Sequence, residues 1–427
     1  MEDVEYRPRI VDRLLERKLK SAGAVLIEGP KWCGKTSTAE HVARSEVFLS
    51  DPQREEEYRR MAELSPGLLL EGAPPRLLDE WQLAPRLWDA VRHAVDRRQK
   101  PGQFILTGSA VPGDLDKIRH TGTGRMSWLL MRPMSLWESG DSCGKVSLAN
   151  LFSSPGAIGE SNDCDGELEK TAYLMCRGGW PMVTHLDPDA ALDLAVNYLD
   201  GVTHSDLQRL DGVGRDSHRV RRLLRVYARA QGTPTTATRL LQDINANDSS
   251  CSENTMLAYI SALRKIFVIE DMGAWNPNLR SRTAIRTAPT RYFVDPSIAT
   301  AALGLGPKDL VNDLNTMGLL FETLCARDLR VFAQAIDGDV YHYRDKNGLE
   351  CDAVIHLRNG SYGLVEIKLG GPTLTRDGAD ALLALSRKID LTKMPPPSFM
   401  MVLTATGRYA YTRPDGVHVV PVDMLRD

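Results

Sequence analysis

The sequence predicts an α/β protein in which an N-terminal parallel sheet with flanking helices is followed by a central helical module and a C-terminal mixed sheet. Three observations lead to this prediction. A glycine-rich loop joins a strand-like run to a helix-like run near the N-terminus. Short helical segments, followed by strand-like runs, occupy the centre of the chain. A hairpin pattern and a further apolar strand lie in the last third.

Length and composition fit a multidomain globular protein. The 427 residues favour two to three domains, which we place at residues 1–195, 196–300 and 301–427. The chain is 42% hydrophobic and 26% charged, and its formal net charge of −3 argues neither for nor against nucleic acid as a partner. No run approaches the roughly 18 apolar residues of a membrane span, and the acidic N-terminus does not read as a signal peptide. We therefore expect a cytoplasmic protein without a membrane partner.

The cysteines and histidines do not suggest a structural metal or disulfide framework. The seven cysteines are scattered and form no C-x-x-C pair, and the nine histidines form no ligand-spaced cluster. This pattern is typical of reduced thiols in a cytosolic protein.

Residues 29–37 fit the phosphate-binding pattern G-x-x-x-x-G-K-[ST], with an apolar run before them and a helix-like run after them. Consecutive N–H groups of such a loop, with the positive end of the helix, form an anion site. Lys35 can reach the β- and γ-phosphates of ATP, and Thr36 offers its hydroxyl to Mg²⁺. A tight turn between core elements would explain the glycines but not Lys35 and Thr36. The predicted nucleotide-contacting residues are Gly29, Pro30, Lys31, Trp32, Cys33, Gly34, Lys35, Thr36 and Ser37.

An acidic strand end follows the loop, as ATP hydrolysis requires. In the segment 76–80, Asp79 would hold Mg²⁺ and Glu80 would polarise the attacking water. The alternative is a surface Asp-Glu pair at a helix N-terminus, where negative charge is favourable.

Two further positions fit roles in hydrolysis. The strand-like segment 103–109 ends in Thr107 and Ser109, and we prefer Thr107 as the side chain that senses the γ-phosphate. Arg125 follows in a glycine-rich turn, close to Arg119, and could stabilise transition-state charge in a neighbouring subunit of a homo-oligomer. Arg125 could equally be a solvated loop residue.

These motifs together resemble one prokaryotic family. The resemblance rests on the segments 6–10, 29–36, 78–82, 106–109, 124–125 and 131–138. The chain is similar over nearly its whole length to AAA-type P-loop ATPases that carry a C-terminal domain of unknown function with a nuclease-like fold. The resemblance implies ATP binding and a three-part architecture.

The central segment predicts a winged-helix module. Helical patterns cover residues 190–210, 218–230, 239–245 and 254–265, and strand-like runs follow at 267–272 and 291–294. Five arginines lie between residues 219 and 229, and Arg280, Arg282 and Arg286 lie between the two strand-like runs. If the module binds duplex DNA, helix 254–265 would face the major groove and the arginines would contact phosphate. It could instead pack against the nucleotide site or mediate assembly.

The last third carries the pattern of restriction-endonuclease-like (PD-(D/E)xK) nucleases. Residues 341–345 and 350–355 read as a hairpin and 363–368 as a third strand. Glu366 and Lys368 are two residues apart and therefore share a strand face, while hairpin pairing brings Asp352 alongside. Asp352 and Glu366 would bind Mg²⁺, and Lys368 would orient or deprotonate a water. Glu322 matches the extra acidic residue on the first helix of such nucleases.

The sequence therefore predicts an ATP·Mg²⁺-dependent ATPase that acts on DNA or is gated by it, with a nuclease-like C-terminal domain. The alternative is a nucleotide-dependent switch or scaffold whose C-terminal domain is catalytically inactive and docks a protein partner.

Overall fold

A computed structural model describes residues 6–109, 122–154, 158, 161–162, 166–207, 214, 216–246, 251–276 and 288–427. The chain divides into two compact units. The N-terminal unit comprises residues 1–133, 204–215 and 261–268, and the C-terminal unit comprises residues 134–203, 216–260 and 269–427. The predicted three-domain boundaries differ from this division and remain a prediction.

The N-terminal unit is built on a sheet of five parallel strands. Its strands are β1 (Ala24–Glu28), β2 (Ser45–Phe48), β3 (Arg76–Asp79), β4 (Phe104–Gly108) and β5 (Met126–Leu130), in the spatial order β2-β3-β4-β1-β5. The helices are α1 (Ile10–Ser21), α2 (Lys35–Val42), α3 (Glu55–Leu64) and α4 (Arg86–Arg98). Short 3₁₀ helices cover Pro66–Leu70 and Trp81–Leu83.

Both faces of this sheet are buried, which explains why its central strands are apolar up to their carboxyl ends. Leu26 and Phe104 belong to a core cluster on one face, whereas Val25 and Ile105 belong to a cluster on the other. Successive side chains of a strand point to opposite faces, so a parallel sheet covered on both sides has near-continuous apolar runs in its strands. This confirms the predicted parallel α/β sheet.

The rest of the chain is helical before it becomes a sheet. The remaining helices are α5 (Leu136–Ser139), α6 (Leu148–Ser153), α7 (Leu168–Arg177), α8 (Pro188–Gly201), α9 (Ser217–Arg229), α10 (Ala237–Asn245), α11 (Glu253–Lys265), α12 (Pro296–Leu303), α13 (Pro307–Asn312), α14 (Leu314–Ala335) and α15 (Pro372–Lys388). A π-helical turn covers Val202–Asp206, and 3₁₀ helices cover Pro181–His185 and Val422–Met424.

The C-terminal sheet is mixed, as predicted. Its strands are β7 (Ser161–Asn162), β8 (Gly338–Arg344), β9 (Glu350–Leu357), β10 (Tyr362–Lys368), β11 (Phe399–Thr404), β12 (Tyr409–Thr412) and β13 (His418–Pro421), in the order β7-β12-β13-β11-β10-β9-β8. Strands β8, β9 and β10 are antiparallel, while β11 runs parallel to β10. The short strands β6 (Val146–Ser147) and β14 (Leu425–Arg426) form a separate parallel pair.

The central segment differs from the predicted winged helix in its strands. The predicted helices occur as α9, α10 and α11, but the two strand-like runs form only isolated bridges, Ile269 with Phe293 and Met272 with Thr290. Arg280, Arg282 and Arg286 lie outside the described residues. The winged-helix assignment therefore remains a prediction.

Candidate functional site

The glycine-rich loop runs from the carboxyl end of β1 to the first turn of α2. Gly29 has a φ of 155°, and a Cβ on it would lie 2.1 Å from the carbonyl oxygen of Met131. Gly34 has a φ of 97° and directly precedes α2. Both positions require glycine, since an L side chain would be strained there and at Gly29 would also collide with backbone. The two glycines thus set the loop that presents the N-terminus of α2.

Lys35 is held within this loop by main-chain acceptors. Its ammonium donates to the carbonyls of Gly29, at 3.0 Å, and Pro30, at 2.7 Å, and the residue is buried. The lysine charge is therefore concentrated at the concave side of the loop, where an anion would bind.

An arginine that the sequence analysis left without a role braces the same loop. The buried Arg9 guanidinium donates to the carbonyl of Cys33, at 2.8 Å, and to the carbonyl of Arg132, at 2.9 Å. Arg9 lies in the segment 6–10, which contributed to the family resemblance, but the contact with Cys33 spans 24 residues. Arg9 thereby ties the loop to the chain that follows β5.

Three side chains meet at the carboxyl edge of the parallel sheet. The carboxylate oxygen Oδ1 of Asp79 accepts hydrogen bonds from Thr36 Oγ1, at 2.9 Å, and from Thr107 Oγ1, at 2.5 Å. Asp79 ends β3 and Thr107 lies near the end of β4, the strand between β3 and β1. The structure thus brings together the predicted Mg²⁺ ligands, Thr36 and Asp79, and the predicted sensor, Thr107, whose role remains a prediction.

Glu80 directly follows Asp79 in the sequence, and neighbouring polar groups hold its side chain in place. Its φ of 53° is unusual for glutamate and turns the chain sharply after β3. Its carboxylate accepts hydrogen bonds from the Gln82 amide and from the Ser109 hydroxyl, the latter at 3.3 Å. Gln82, two residues along the chain, is a positioning residue that the sequence analysis did not single out.

The donor set at this edge fits Mg²⁺ and a triphosphate. Mg²⁺ binds through one or two protein oxygens together with substrate phosphates. Thr36 and Asp79 supply a hydroxyl and a carboxylate that already touch, and Lys35 supplies a cation for the phosphates.

The remaining predicted loop residues and Arg125 have other surroundings. Lys31 forms an ion pair with Asp206, with 2.5 Å between Nζ and Oδ1, whereas Trp32 and Ser37 are exposed and Cys33 is buried. Arg125 precedes β5 and therefore lies at the amino edge of the sheet, opposite the loop, where it pairs with Asp96 at 2.8 Å. Within one chain Arg125 is not part of the nucleotide site, and its action on a neighbouring subunit remains a prediction.

A second polar cluster lies on the C-terminal sheet, where the sequence predicted it. The ammonium of Lys368 lies 2.6 Å from Glu366 Oε2 and 3.1 Å from Asp352 Oδ2. The main-chain N–H of Ile367 also donates to Asp352, at 2.8 Å. Strand β9 positions Asp352 and strand β10 positions the other two. We call Asp352, Glu366, Lys368 and the nearby Glu322 the carboxylate–lysine cluster.

The cluster places three carboxyl groups around one lysine, and burial together with their mutual repulsion favours protonation of two of them. Burial and the charge of Asp352 raise the pKa of Glu366 to about 8, against the opposing effect of Lys368. Burial and the same carboxylate raise the pKa of Glu322 well above its usual range. Glu322 extends from α14 and accepts a 3.5 Å hydrogen bond from the hydroxyl of the buried Tyr292, which no sequence pattern indicated. Such a cluster favours binding of a cation.

A metal ion would have two carboxylate ligands here rather than three. Across the described ranges, no group of three or more His, Cys, Asp and Glu side chains is arranged to hold a metal ion. Asp352 and Glu366 nevertheless fit Mg²⁺, which commonly takes one or two carboxylates and completes its shell with phosphate oxygens and water.

Comparison with protein families divides the chain into three segments. Residues 21–139 match the family described as AAA domain. Residues 168–309 match a domain of unknown function (DUF8612), and residues 317–425 match another (DUF4143). The first match, the parallel sheet and the loop geometry agree, so the N-terminal unit carries a nucleotide-binding P-loop domain of the AAA class.

Similar proteins are known from mycobacteria. The uncharacterized proteins Mb2031c of Mycobacterium bovis and Rv2008c of Mycobacterium tuberculosis are each 22% identical over 415 residues, which cover 96% of this chain and 82% of theirs. Among solved structures, the Walker-type ATPase PABY2304 of Pyrococcus abyssi is 16% identical, with a TM-score of 0.42 over 70% of this chain and 96% of that one. No helix in the described part of the chain is long and apolar enough to span a membrane.

Proposed function

We propose that the chain binds ATP·Mg²⁺ at the carboxyl edge of the parallel sheet, hydrolyses it there, and couples hydrolysis to DNA. The observation that carries the first part is the convergence of Thr36 and Thr107 on one carboxylate oxygen of Asp79. An ordinary surface Asp-Glu pair would not place its aspartate in a buried position between two threonines at the carboxyl edge of the sheet that carries the P-loop.

Each side chain at this edge has a role in the proposed hydrolysis. Lys35 leaves its carbonyl acceptors for the β- and γ-phosphates, and the N-terminus of α2 holds phosphate oxygens. Thr36 and Asp79 would hold Mg²⁺, which neutralises phosphate charge when bound. Glu80, kept in place by Gln82 and Ser109, accepts the proton of the attacking water.

Steady-state ATP hydrolysis with and without DNA tests this proposal. Wild type should release phosphate from ATP, and Glu80→Gln should lose that release because an amide cannot accept the proton. Stimulation by double- or single-stranded DNA would support coupling to nucleic acid. An ATP hydrolysis rate that neither form of DNA changes would favour the alternative of a nucleotide-dependent switch or scaffold, with a protein partner in place of DNA.

We infer that the C-terminal unit is a phosphodiester-hydrolysing module, because the carboxylate–lysine cluster brings together the three side chains such chemistry needs. Asp352 and Glu366 would hold Mg²⁺, which supplies Lewis-acid stabilisation of charge on the phosphate when bound. Lys368 lies between them and can orient a water by hydrogen bonding. The proposal includes a restriction-endonuclease-like fold for this unit.

Nicking of supercoiled plasmid DNA separates a nuclease from an inactive docking module. Wild type should nick the plasmid only with a divalent cation, and Asp352→Ala should not. Loss of plasmid nicking in Glu80→Gln would show that nucleotide hydrolysis gates the C-terminal unit. A wild-type chain that binds DNA but never nicks it would leave docking as the role of this unit.

A further inference from the structure

Helix α9 presents a row of arginines on its exposed side. Arg221, Arg225 and Arg229 recur every four residues and are all exposed. Residues four apart lie on the same side of a helix, so the three guanidinium groups form one stripe. The opposite side of α9 is buried through Val220, Leu223, Leu224 and Tyr227. The helix is thus fixed by its apolar side and offers its basic side outward.

The charge of this stripe is only partly balanced within the chain. Arg221 forms an ion pair with Asp200. Neither Arg225 nor Arg229 has a carboxylate partner in the part of the chain that the structure describes. Like charges four residues apart repel and destabilise a helix by about 0.2–0.5 kcal/mol per pair. A bound polyanion would remove this repulsion.

The stripe ends beside the carboxylate–lysine cluster. Directly after α9, the buried Gln231 accepts hydrogen bonds from the main-chain N–H of Phe293, at 2.8 Å, and from the hydroxyl of Thr323, at 3.2 Å. Gly232 follows with a φ of 66°, and a Cβ on it would lie 2.6 Å from Glu322 Oε2. Arg229 is three residues from Gly232, so their Cα atoms are no more than about 10 Å apart. The backbone after α9 therefore forms part of the wall of the cluster.

We propose that the arginine stripe of α9 binds the phosphate backbone of duplex DNA and leads it to the carboxylate–lysine cluster. This rests on the proposed phosphodiester function of that cluster. Eight residues of helix separate Arg221 from Arg229, a span of about 12 Å, which matches three to four phosphates of one strand at about 3.4 Å each along the duplex axis. Guanidinium groups match phosphate oxygens in a bidentate manner.

The stripe is suited to the backbone rather than to base sequence. It carries charge but no exposed aromatic residue or apolar anchor between its arginines. Phosphate contacts position a protein without reading sequence, whereas tight binding of a protein segment depends on buried anchors. We therefore favour DNA over an acidic peptide as the occupant and expect little sequence preference.

Fluorescence anisotropy with a labelled 20-base-pair duplex tests the proposal. The full chain is titrated at several NaCl concentrations in the presence of EDTA, which prevents cleavage. The Arg225→Gln/Arg229→Gln variant should bind about tenfold more weakly or worse near 0.1 M salt. Its slope of log affinity against log salt should fall by about 1.8, since each lost phosphate contact contributes about 0.9.

The matched control removes two exposed arginines elsewhere, in Arg60→Gln/Arg97→Gln of the N-terminal unit. This control should keep the wild-type affinity and slope, and both variants should keep basal ATP hydrolysis and the wild-type melting temperature. Equal binding by wild type and the stripe variant would overturn the proposal, as would a wild-type chain that binds polyglutamate but not DNA. Stripe-dependent binding without nicking would support the stripe as a DNA surface and refute hydrolysis by the cluster.

Discussion

Replacing Lys368 with methionine should destabilise the C-terminal sheet by on the order of 3 kcal/mol. The lysine ammonium lies 2.6 Å from Glu366 and 3.1 Å from Asp352, whose side chains are only 5% and 16% exposed. Removing one partner of a buried ion pair typically costs about 3–5 kcal/mol, because the other charge remains buried without compensation. Lys368 itself is 25% exposed, so water can reach the site in part and the lower end of that range applies.

Adding Asp352→Asn to the Lys368→Met variant should restore most of the lost stability. The second substitution removes the carboxylate that lies 3.1 Å from the lysine ammonium, so the uncompensated charge disappears along with its partner. Glu366, whose pKa burial raises to about 8, is largely protonated at neutral pH and leaves little charge to remove. Urea unfolding is monitored by hydrogen exchange of peptides that cover Tyr362–Lys368. This probe reports on the C-terminal sheet rather than on the whole chain. Lys388→Met is the control: Lys388 pairs with Asp345 on the surface, and its loss should leave stability nearly unchanged.

This reasoning is refuted if Lys368→Met unfolds at the wild-type urea concentration. It is also refuted if the double variant is no more stable than Lys368→Met alone. Either result would mean that the three side chains do not share one partly desolvated site.

Three further predictions concern the nucleotide edge and pH. Thr107→Val should lower kcat for ATP about tenfold or more with little change in KM, since it removes a hydroxyl donated to Asp79; steady-state kinetics measures the two constants separately. Arg9→Met should weaken ATP binding and lower the free energy of unfolding by about 2 kcal/mol, because two carbonyls lose a charged donor; nucleotide titration and urea unfolding measure these effects. Burial lowers the pKa of His342 from 6.5 to about 4, so the folded protein disfavours the protonated form of the imidazole ring. The contribution of His342 to stability, which is fully present above pH 6.5, should therefore fall by about 2 kcal/mol at pH 5, measured as the difference between wild type and His342→Gln in urea unfolding at both pH values.

Each of these predictions has its own control. Thr107→Ser keeps the hydroxyl and should retain kcat, so equal losses in the serine and valine variants would argue against hydrogen bonding to Asp79. For Arg9, Arg7→Met changes a neighbouring arginine outside the contact with Cys33, and an equal loss of ATP binding there would contradict the bracing role. His342→Gln should lose less stability than wild type between pH 6.5 and 5, and identical curves would exclude His342 as the titrating group.

The nucleotide edge could be predicted because a short contiguous pattern determines it. The glycine spacing sets the loop, and Asp79 and Thr107 end strands whose carboxyl ends share one edge of a parallel sheet. The same holds for Glu366 and Lys368, since alternation along one strand places both on one face. In each case a local regularity of the backbone specifies the geometry.

Contacts between segments that are distant in the sequence could not be predicted from such local patterns. The bond from Arg9 to Cys33 and the one from Tyr292 to Glu322 depend on how helices pack against the sheet, which no local pattern encodes. The two strands predicted for the winged helix form only isolated β-bridges. Phe267, which was expected to start the first of these strands, has a φ of 60°, and this is incompatible with extended backbone. The position of Arg125 at the amino edge was not predicted, because the sequence analysis assigned no strand to the residues that follow it, which the structure shows as β5.

Parallel measurement of ATP binding and phosphate release in wild type, Lys35→Ala and Glu80→Gln tests the central claim most directly. If the edge around Asp79 is a hydrolytic nucleotide site, Lys35→Ala should lose binding, whereas Glu80→Gln should bind ATP like wild type and release phosphate at least about a hundredfold more slowly. Wild-type turnover in Glu80→Gln, or undiminished ATP binding in Lys35→Ala, would contradict the account.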